Sequence, residues 1–348
     1  MTEKALKFGL IGAGRISDSY VQAFRGLKAA HLVAVTDVSP AAAQAIAEKA
    51  GCVAYNSYRK MYEENPLDAV IICTPPITHP ELAVFFLERQ VHVLCEKPLS
   101  VDSNSARLML ATARRYGAKL TMASKFRYVE DVMRAKSIVR SGILGDILLV
   151  ENTFASRVDM TDRWNSNPEI SGGGVLIDNG THSVDIMRYL LGPLTDVQVV
   201  EGRRPSGYPV EETAQLFVRS VTGAIGSIDL SWRLQKEVDY FLNIYGVYGT
   251  ISVGWKNSKY RQASSRDWIT FGEGYDKVQA FRSQLENFCG AIRGEEALLI
   301  TPADALASVE VIESAYTALK NSTWTPVAPK YLAGEDSALA ELEARLIA

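Results

Sequence analysis

Two short segments of the sequence carry side chains suited to moving a proton. Lys97 precedes Pro98 at the end of an apolar run, and Asp178 and His182 lie four positions apart. On a helix, that spacing puts the carboxylate and the imidazole on one face, one turn apart. The imidazole can accept and return a proton near neutral pH, the carboxylate can orient it, and the lysine can stabilise developing negative charge. These side chains predict proton removal from a hydroxyl; a structural Lys97–Asp178 ion pair beside a core His182 is the alternative.

The elements that must position these side chains fall into two regions. Before about residue 125, short and almost wholly apolar runs alternate with helical patterns, as in a parallel sheet that is covered on both faces. The runs are 8–11, 32–35, 69–73, 91–95 and 119–122. This pattern is typical of a doubly wound α/β fold and predicts an N-terminal Rossmann dinucleotide-binding domain over residues 1–124.

The second region has longer stretches in which apolar and polar residues alternate. Turns at glycines separate the stretches 146–154, 214–219, 224–232 and 240–247. The alternation predicts a mainly antiparallel sheet flanked by a few helices, hence an α+β domain over residues 125–330 with a C-terminal tail at 331–348. One of its helices is expected at 179–190, with His182 in its first turn.

A glycine-rich turn follows the first predicted strand. Gly12 allows a tight turn, Gly14 lets the backbone approach a pyrophosphate, and Ser17 is small enough for close packing of helix on strand. Arg15 and Ile16 lie at the start of the next predicted helix. The N-terminus of a helix favours the binding of a phosphate group. We therefore expect Gly12, Gly14, Arg15 and Ile16 to contact a dinucleotide cofactor.

An acidic residue ends the second predicted strand. Asp37 follows Gly14 by 23 positions (37 − 14), the place of the acid that binds the adenosine ribose hydroxyls in Rossmann domains. Its charge disfavours a 2′-phosphate, and the next three residues include no arginine, so NAD is favoured over NADP. An N-cap role for the helix 40–49 is compatible with this interpretation.

Two further loops lie at the carboxyl ends of predicted strands, where open α/β sheets bind their ligands. Thr74 and Pro75 follow one strand, and Glu96 and Lys97 end the next. We expect these four residues to wall the nicotinamide pocket. His79 lies at the start of the predicted helix that follows Pro75. Its side chain could either cap that helix or take part in catalysis.

The joint order of these motifs resembles the glucose-fructose oxidoreductase / inositol dehydrogenase / MocA (Gfo/Idh/MocA) family over about residues 5–330. Its elements are the glycine turn, the strand-end acid, Glu-Lys-Pro, and Gly-Gly-Gly-Val-Leu-Ile-Asp-Asn-Gly-Thr-His-Ser-Val-Asp. The resemblance implies a Rossmann domain followed by a domain with an open-faced antiparallel sheet, which commonly mediates assembly, here as a homodimer or homotetramer. It also implies that Lys97 is the active-site lysine, often followed by a cis peptide bond, and that Asp178 and His182 are catalytic.

The substrate is expected to contact the second domain as well as the catalytic residues. Arg163, Trp164 and Asn165 lie in a polar and aromatic segment before the catalytic helix, and Arg127 follows the last Rossmann strand. Aromatic and amide groups suit a polyhydroxylated ring, and arginines suit a carboxylate or diphosphate. An ordinary surface loop has a similar composition.

Composition narrows the kinds of partner. The net charge is −3 and the sequence has no long run of like charges. The charge pattern therefore does not indicate binding to nucleic acid or to an anionic membrane. No apolar stretch of the sequence approaches the roughly 20 residues of a membrane span. The four cysteines have no metal-ligand spacing and are interpreted as reduced thiols of a cytoplasmic protein that binds no metal.

Together, the motifs and the resemblance predict an NAD-dependent oxidoreductase. It would oxidise a secondary hydroxyl of a sugar, sugar derivative or inositol-like cyclitol to a ketone, reversibly. A redox-assisted glycosidase that retains NAD is an alternative within the same family. A non-catalytic dinucleotide-sensing protein is an alternative of another class, although such relatives tend to lose the lysine that Lys97 represents.

Overall fold

The computed structural model describes residues 4–327, so the predicted tail at 331–348 lies outside the described residues. The strands are β1 Leu6–Ile11, β2 Ala30–Thr36, β3 Val53–Tyr55, β4 Ala69–Ile72, β5 His92–Glu96, β6 Leu120–Ala123, β7 Ile147–Ala155, β8 Leu194–Glu201, β9 Thr213–Ser220, β10 Ile225–Ser231, β11 Tyr240–Gly246, β12 Gly249–Gly254, β13 Ser258–Gln262, β14 Ile269–Gly272 and β15 Thr325–Pro326. The helices are α1 Ser17–Phe24, α2 Pro40–Ala50, α3 Tyr58–Glu64, α4 His79–Leu87, α5 Ser103–Tyr116, α6 Glu130–Arg140, α7 Pro168–Ser171, α8 Val175–Leu191, α9 Lys277–Arg293 and α10 Pro302–Asn321.

The first sheet is the parallel sheet that the apolar runs predict. Within residues 4–327 it has six strands in the order β3-β2-β1-β4-β5-β6. Its strands pair in parallel throughout. The order reverses between β1 and β4, which opens a crevice at the carboxyl ends of the strands. The doubly wound prediction is confirmed, with the short edge strand β3 added.

Helix α9 belongs to the same compact unit as this sheet. That unit comprises residues 4–125 together with Lys277–Leu306, a segment that the sequence interpretation placed in the second domain. The aromatic side chains of α9 explain the difference. Phe281 packs edge-on against Tyr20 at 4.7 Å between ring centroids, and Phe288 packs against Phe8 at 6.1 Å.

The second unit, Phe126–Asp276 with residues 307–327, contains a mixed sheet. Within the described chain this sheet has nine strands in the order β14-β13-β12-β11-β7-β10-β9-β8-β15. Only β7 and β10 pair in parallel among these described strands, so the predicted mainly antiparallel sheet is confirmed. Strand β9 alternates buried and exposed residues, as expected where one face is open, and α8 packs against β7, β9 and β10.

The helix that carries Asp178 and His182 differs from its prediction at one end. It begins at Val175, one turn before the expected start at residue 179, so Asp178 lies inside the helix rather than before it.

In the described part of the chain, no helix combines the length and the hydropathy needed to cross a membrane. Residues 4–327 also hold no group of three or more His, Cys, Asp or Glu side chains arranged to bind a metal ion.

Candidate active site

The glycine turn between β1 and α1 has the geometry that a dinucleotide requires. Gly12 has a φ of +96°, and a Cβ there would lie 2.8 Å from the carbonyl carbon of Cys73. At Gly14 a Cβ would meet nothing within 4 Å, so the space in front of this backbone is open. No side chain caps the first turn of α1 at Ile16, so no side chain competes with an anion for the N–H groups there that do not already bond to a carbonyl, as those of Ser17 and Ser19 do. Exposed Arg15 lies beside them.

Asp37 is attached to this turn. Its Oδ2 accepts a hydrogen bond from the Ala13 N–H at 2.7 Å, and its Oδ1 accepts one from the Ser39 N–H at 2.8 Å. A carboxylate has about four acceptor positions, so ribose hydroxyls can still be bound. Val38 is 99% exposed and offers no charge to a 2′-phosphate. The residues present therefore fit NAD, with the glycine turn for its pyrophosphate and Asp37 for its adenosine ribose.

The loop after β4 is internally bonded. The hydroxyls of Thr74 and Thr78 lie 2.7 Å apart, and Thr78 also donates to the Pro75 carbonyl at 2.8 Å. The ring of His79 is buried at the start of α4, with a backbone carbonyl facing each nitrogen. His79 is therefore not the cap of its helix; the N-cap position is held by Thr78.

Lys97 lies directly after β5 and is partly buried, and its peptide bond to Pro98 is cis, as the family resemblance implies. The preceding Glu96 is buried and accepts a hydrogen bond from the Tyr20 hydroxyl at 2.8 Å. Gln284 in turn donates to the Tyr20 oxygen at 3.2 Å. Burial raises the pKa of Glu96, and the bond from Tyr20 opposes that shift. The predicted contact of Glu96 with the cofactor stays a prediction.

Asp178 and His182 are one turn apart in α8, with His182 buried and Asp178 partly buried. The rings of Phe126 and His182 are nearly perpendicular, with 5.1 Å between their centroids, and the centroid of Phe154 lies 6.5 Å from that of His182. Phe126 also stacks on Tyr275, which contacts Trp255. An aromatic row therefore runs from the predicted base to Trp255, whose side chain is 38% exposed.

The start of α8 is held by a carboxylate from the segment before β9. Oε1 of Glu211 accepts hydrogen bonds from the Gly174 N–H at 2.9 Å, the Leu176 N–H at 3.0 Å and the Tyr316 hydroxyl at 2.8 Å. An anion at this end of a helix also complements its dipole. A Cβ at Gly174 would overlap the Glu211 carbonyl oxygen, and one at Gly173 would overlap the Tyr316 hydroxyl. The Gly-Gly-Gly sequence thus makes room for this carboxylate clamp, defined as Glu211 and Tyr316.

The predicted substrate residues have different surroundings. Arg127 is 3% exposed and forms an ion pair with Asp185 at 2.7 Å. Trp164 and Asn165 lie in a short 3-10 turn, with Trp164 exposed. Among the described residues, Arg163 Nε is a buried donor without a hydrogen-bond partner. Substrate contact by each of these residues stays a prediction, and the buried ion pair gives Arg127 a structural role in the second unit.

Sequence reasoning missed Tyr20 and Glu211 and left His79 undecided. Tyr20 and Glu96 are 76 positions apart, and Glu211 is 37 positions from Gly174. No local spacing signals such pairs. The one available sign was the run of three glycines, which marks a close approach of backbone to another group but not the group itself.

Comparison with known proteins gives matches in both units. A family described as "Oxidoreductase family, NAD-binding Rossmann fold" (GFO_IDH_MocA) matches residues 6–124, and "GFO/IDH/MocA C-terminal domain" matches residues 132–252. Inositol 2-dehydrogenase of Rhizobium meliloti is 27% identical over 330 residues, covering 89% of this chain and 96% of the relative. D-glucoside 3-dehydrogenase of Escherichia coli is 35% identical over 199 residues, 55% of this chain and 56% of the relative.

A solved structure has the same fold along most of the chain. Levoglucosan dehydrogenase in complex with NADH and levoglucosan superposes with a TM-score of 0.87 at 21% identity, covering 93% of this chain and all (100%) of that one. At that identity the likeness shows the fold.

Proposed function

Because this chain belongs to the Gfo/Idh/MocA family of oxidoreductases, with its NAD-binding Rossmann fold, we propose that it oxidises a secondary hydroxyl of a sugar, sugar derivative or cyclitol to a ketone, reversibly and with NAD. The observation that carries the proposal is the position of Lys97. It directly follows β5, at the sheet edge where the glycine turn of β1 also lies. A fixed cation at the ligand-binding edge of a dinucleotide fold suits chemistry on an oxygen.

Each residue has one role in the proposed reaction. The His182 imidazole takes the hydroxyl proton onto a ring nitrogen, and in reverse returns it. Asp178, one turn away, orients the ring and favours its charged form. The Lys97 ammonium stabilises the negative charge that grows on the oxygen as the O–H bond breaks. NAD, when bound, supplies the acceptor for the hydride from the carbon.

Two observations support a polyhydroxylated ring as substrate. Trp255 and Tyr275 continue the aromatic row beside His182, and such rings can pack on the apolar face of a sugar. The unpartnered Nε of Arg163 offers a donor to a hydroxyl or carboxylate oxygen. Relatives described as inositol 2-dehydrogenase and D-glucoside 3-dehydrogenase point to the same class of substrate.

The proposal extends to assembly and location. Large apolar side chains are exposed on the open face of neighbouring strands of the nine-stranded sheet, namely Val200, Phe217 and Ile225. A second copy of the chain would cover them in a homodimer or homotetramer. The cysteines at 52, 73, 95 and 289 are free thiols, which suits the reducing cytoplasm. Light scattering of the purified protein, with and without Phe217→Lys, tests the assembly.

The function is tested by following reduced-cofactor absorbance with NAD and then NADP. The panel contains inositols, free sugars, sugar acids, aminosugars and nucleotide-sugars. Lys97→Ala is expected to lower kcat by roughly 10²- to 10³-fold, the usual effect of losing one group that stabilises an oxyanion. Lys119→Ala is the matched control, since Lys119 is exposed at the opposite edge of the same sheet. Net hydrolysis of a glycoside without NADH release, or tight NAD binding without turnover, would overturn the proposal.

A further inference from the structure

His79 bridges two backbone carbonyls with its two ring nitrogens. Nδ1 lies 2.9 Å from the Pro98 carbonyl oxygen and Nε2 lies 2.9 Å from the Thr74 carbonyl oxygen. The side chain is 1% exposed, so neither contact is exchanged with bulk water. The neutral ring carries one N–H and can donate it to only one of the two carbonyls, whereas a protonated ring would donate to both.

The two carbonyls belong to the loops that follow β4 and β5. Thr74 begins the predicted wall of the nicotinamide pocket, and Pro98 is bonded directly to Lys97. Because β4 and β5 are paired, the two loops leave the sheet side by side at its carboxyl edge. His79 therefore lies between the loop expected to face the cofactor and the loop that carries the lysine, with one ring nitrogen against each loop.

Lys97 is consequently held through both of its neighbours. On the N-terminal side, the Glu96 side chain is bonded to Tyr20. On the C-terminal side, the Pro98 carbonyl faces His79. A lysine side chain has four rotatable bonds, so fixing the backbone at its root is one way to limit the positions of its ammonium group.

We propose that His79 is a positioning residue that sets the Lys97 backbone against the Thr74–Pro75 turn. Its kinetic consequence rests on the proposed dehydrogenase function, whereas its effect on Lys97 itself does not. Both ring nitrogens face backbone carbonyls, so the imidazole acts through Lys97 and the turn rather than on the substrate.

Two substitutions separate the two contacts. The side-chain amide nitrogen of asparagine can occupy a place close to Nδ1, and that of glutamine a place close to Nε2. His79→Asn therefore keeps a donor toward Pro98 and loses the contact with Thr74, while His79→Gln does the reverse. His79→Ala removes both. His92→Asn is the matched control, since His92 lies at the amino end of β5 and bonds to the Lys119 N–H.

The first measurement needs neither cofactor nor substrate. A brief pulse of acetic anhydride labels amines, and mass spectrometry reports the labelling rate of Lys97 in the full-length protein. We expect His79→Gln and His79→Ala to change that rate by about threefold or more, and His79→Asn and His92→Asn to leave it within about twofold. Equal rates in all variants would overturn the proposal, even if their melting temperatures fall.

The second measurement separates kcat from NAD affinity. We expect His79→Gln to lower kcat about tenfold with the Kd for NAD nearly unchanged, and His79→Asn to weaken NAD binding more than it lowers kcat. Variants that lose stability without this split would mark His79 as structural only. A wild-type protein without turnover would sink the dehydrogenase function, while the labelling rates would still decide the role of His79.

Discussion

Lys97 and the Asp178–His182 pair are held by two different kinds of support. Lys97 lies on a loop in the first unit, and buried side chains from α1 and α4 hold its neighbours. Asp178 and His182 lie inside a regular helix of the second unit, whose backbone fixes their spacing. The loop depends on added side chains, whereas the helix depends both on the carboxylate clamp and on glycines, which have no side chain, at its start. Removing a side chain should therefore weaken either support, whereas adding one at the glycines should weaken the helix support in particular.

The largest effect is expected where a side chain is added at the start of α8. In Gly174→Ala, the new methyl group would overlap the backbone oxygen of Glu211, which cannot move away as a flexible side chain can. We expect a loss of about 3 kcal/mol or more in the free energy of unfolding, at the upper end for overpacking. Urea unfolding and kcat measure the result.

Gly173→Ala sharpens this prediction because its clash is with a side chain, the Tyr316 ring and hydroxyl. The double variant with Tyr316→Ala should regain part of the lost stability. The same second substitution should not rescue Gly174→Ala. Equal rescue of both would contradict the assignment of the two clashes.

A smaller effect is expected when the carboxylate clamp loses its charge. Glu211→Gln replaces the carboxylate oxygen that accepts all three hydrogen bonds with a neutral amide oxygen and removes an anion from the end of the helix, a cost of about 2 kcal/mol. Because α8 carries the predicted base, kcat should also fall. The neighbouring Glu212→Gln is the control, since Glu212 is equally buried but bonds to Ser206 and Arg233. Similar kcat losses in both variants would show that the clamp has no special link to catalysis.

On the loop side, Tyr20→Phe should cost about 1.5 kcal/mol. The change leaves buried Glu96 without its phenol donor and Gln284 without its acceptor. Tyr58→Phe is the matched control, because Tyr58 donates to Glu81 in the same way at the surface, where the loss should be below about 0.5 kcal/mol. Thermal unfolding of both variants gives the comparison. Equal losses would mean that burial of the Tyr20 bond adds nothing.

The two supports also differ in how far the sequence predicted them. The strand runs and the glycine turn were predicted because their signals are local, and the first sheet confirms them. The prediction that Asp178 and His182 lie one helical turn apart depended only on helical periodicity. It therefore remained correct although the predicted start of the helix was one turn too late. Glu211 and Tyr20 could not be predicted, since their bonds join residues brought together only by the folded chain. The sequence interpretation placed helix α9 with the second domain, whereas α9 belongs to the same compact unit as the first sheet, because an aromatic helix face does not indicate which element it will pack against.

The smallest effect is a pH dependence of the His79 contribution. Burial lowers the pKa of His79, the charge of Lys97 lowers it further, and the facing carbonyls of Thr74, Pro98 and Leu99 oppose that shift. The folded pKa is thus below the ordinary value of about 6.5, and the unfolded chain takes up the proton first as the pH falls. The stability that His79 contributes is therefore present above about pH 6.5 and is lost as the pH falls toward the folded pKa.

Glutamine does not titrate, so the difference in unfolding free energy between wild type and His79→Gln isolates the pH-dependent stability that His79 contributes. It should be largest near pH 8 and shrink toward pH 5 in urea unfolding. His92→Gln should change less, because burial also lowers the pKa of His92 but its side chain is only partly buried. A difference that grows toward pH 5 would mean that both carbonyls hold a protonated ring. The loop that carries Lys97 would then be held by a charged His79 ring, most strongly at acidic pH. The difference between the loop and helix α8 would then lie in the charge of the supporting side chain.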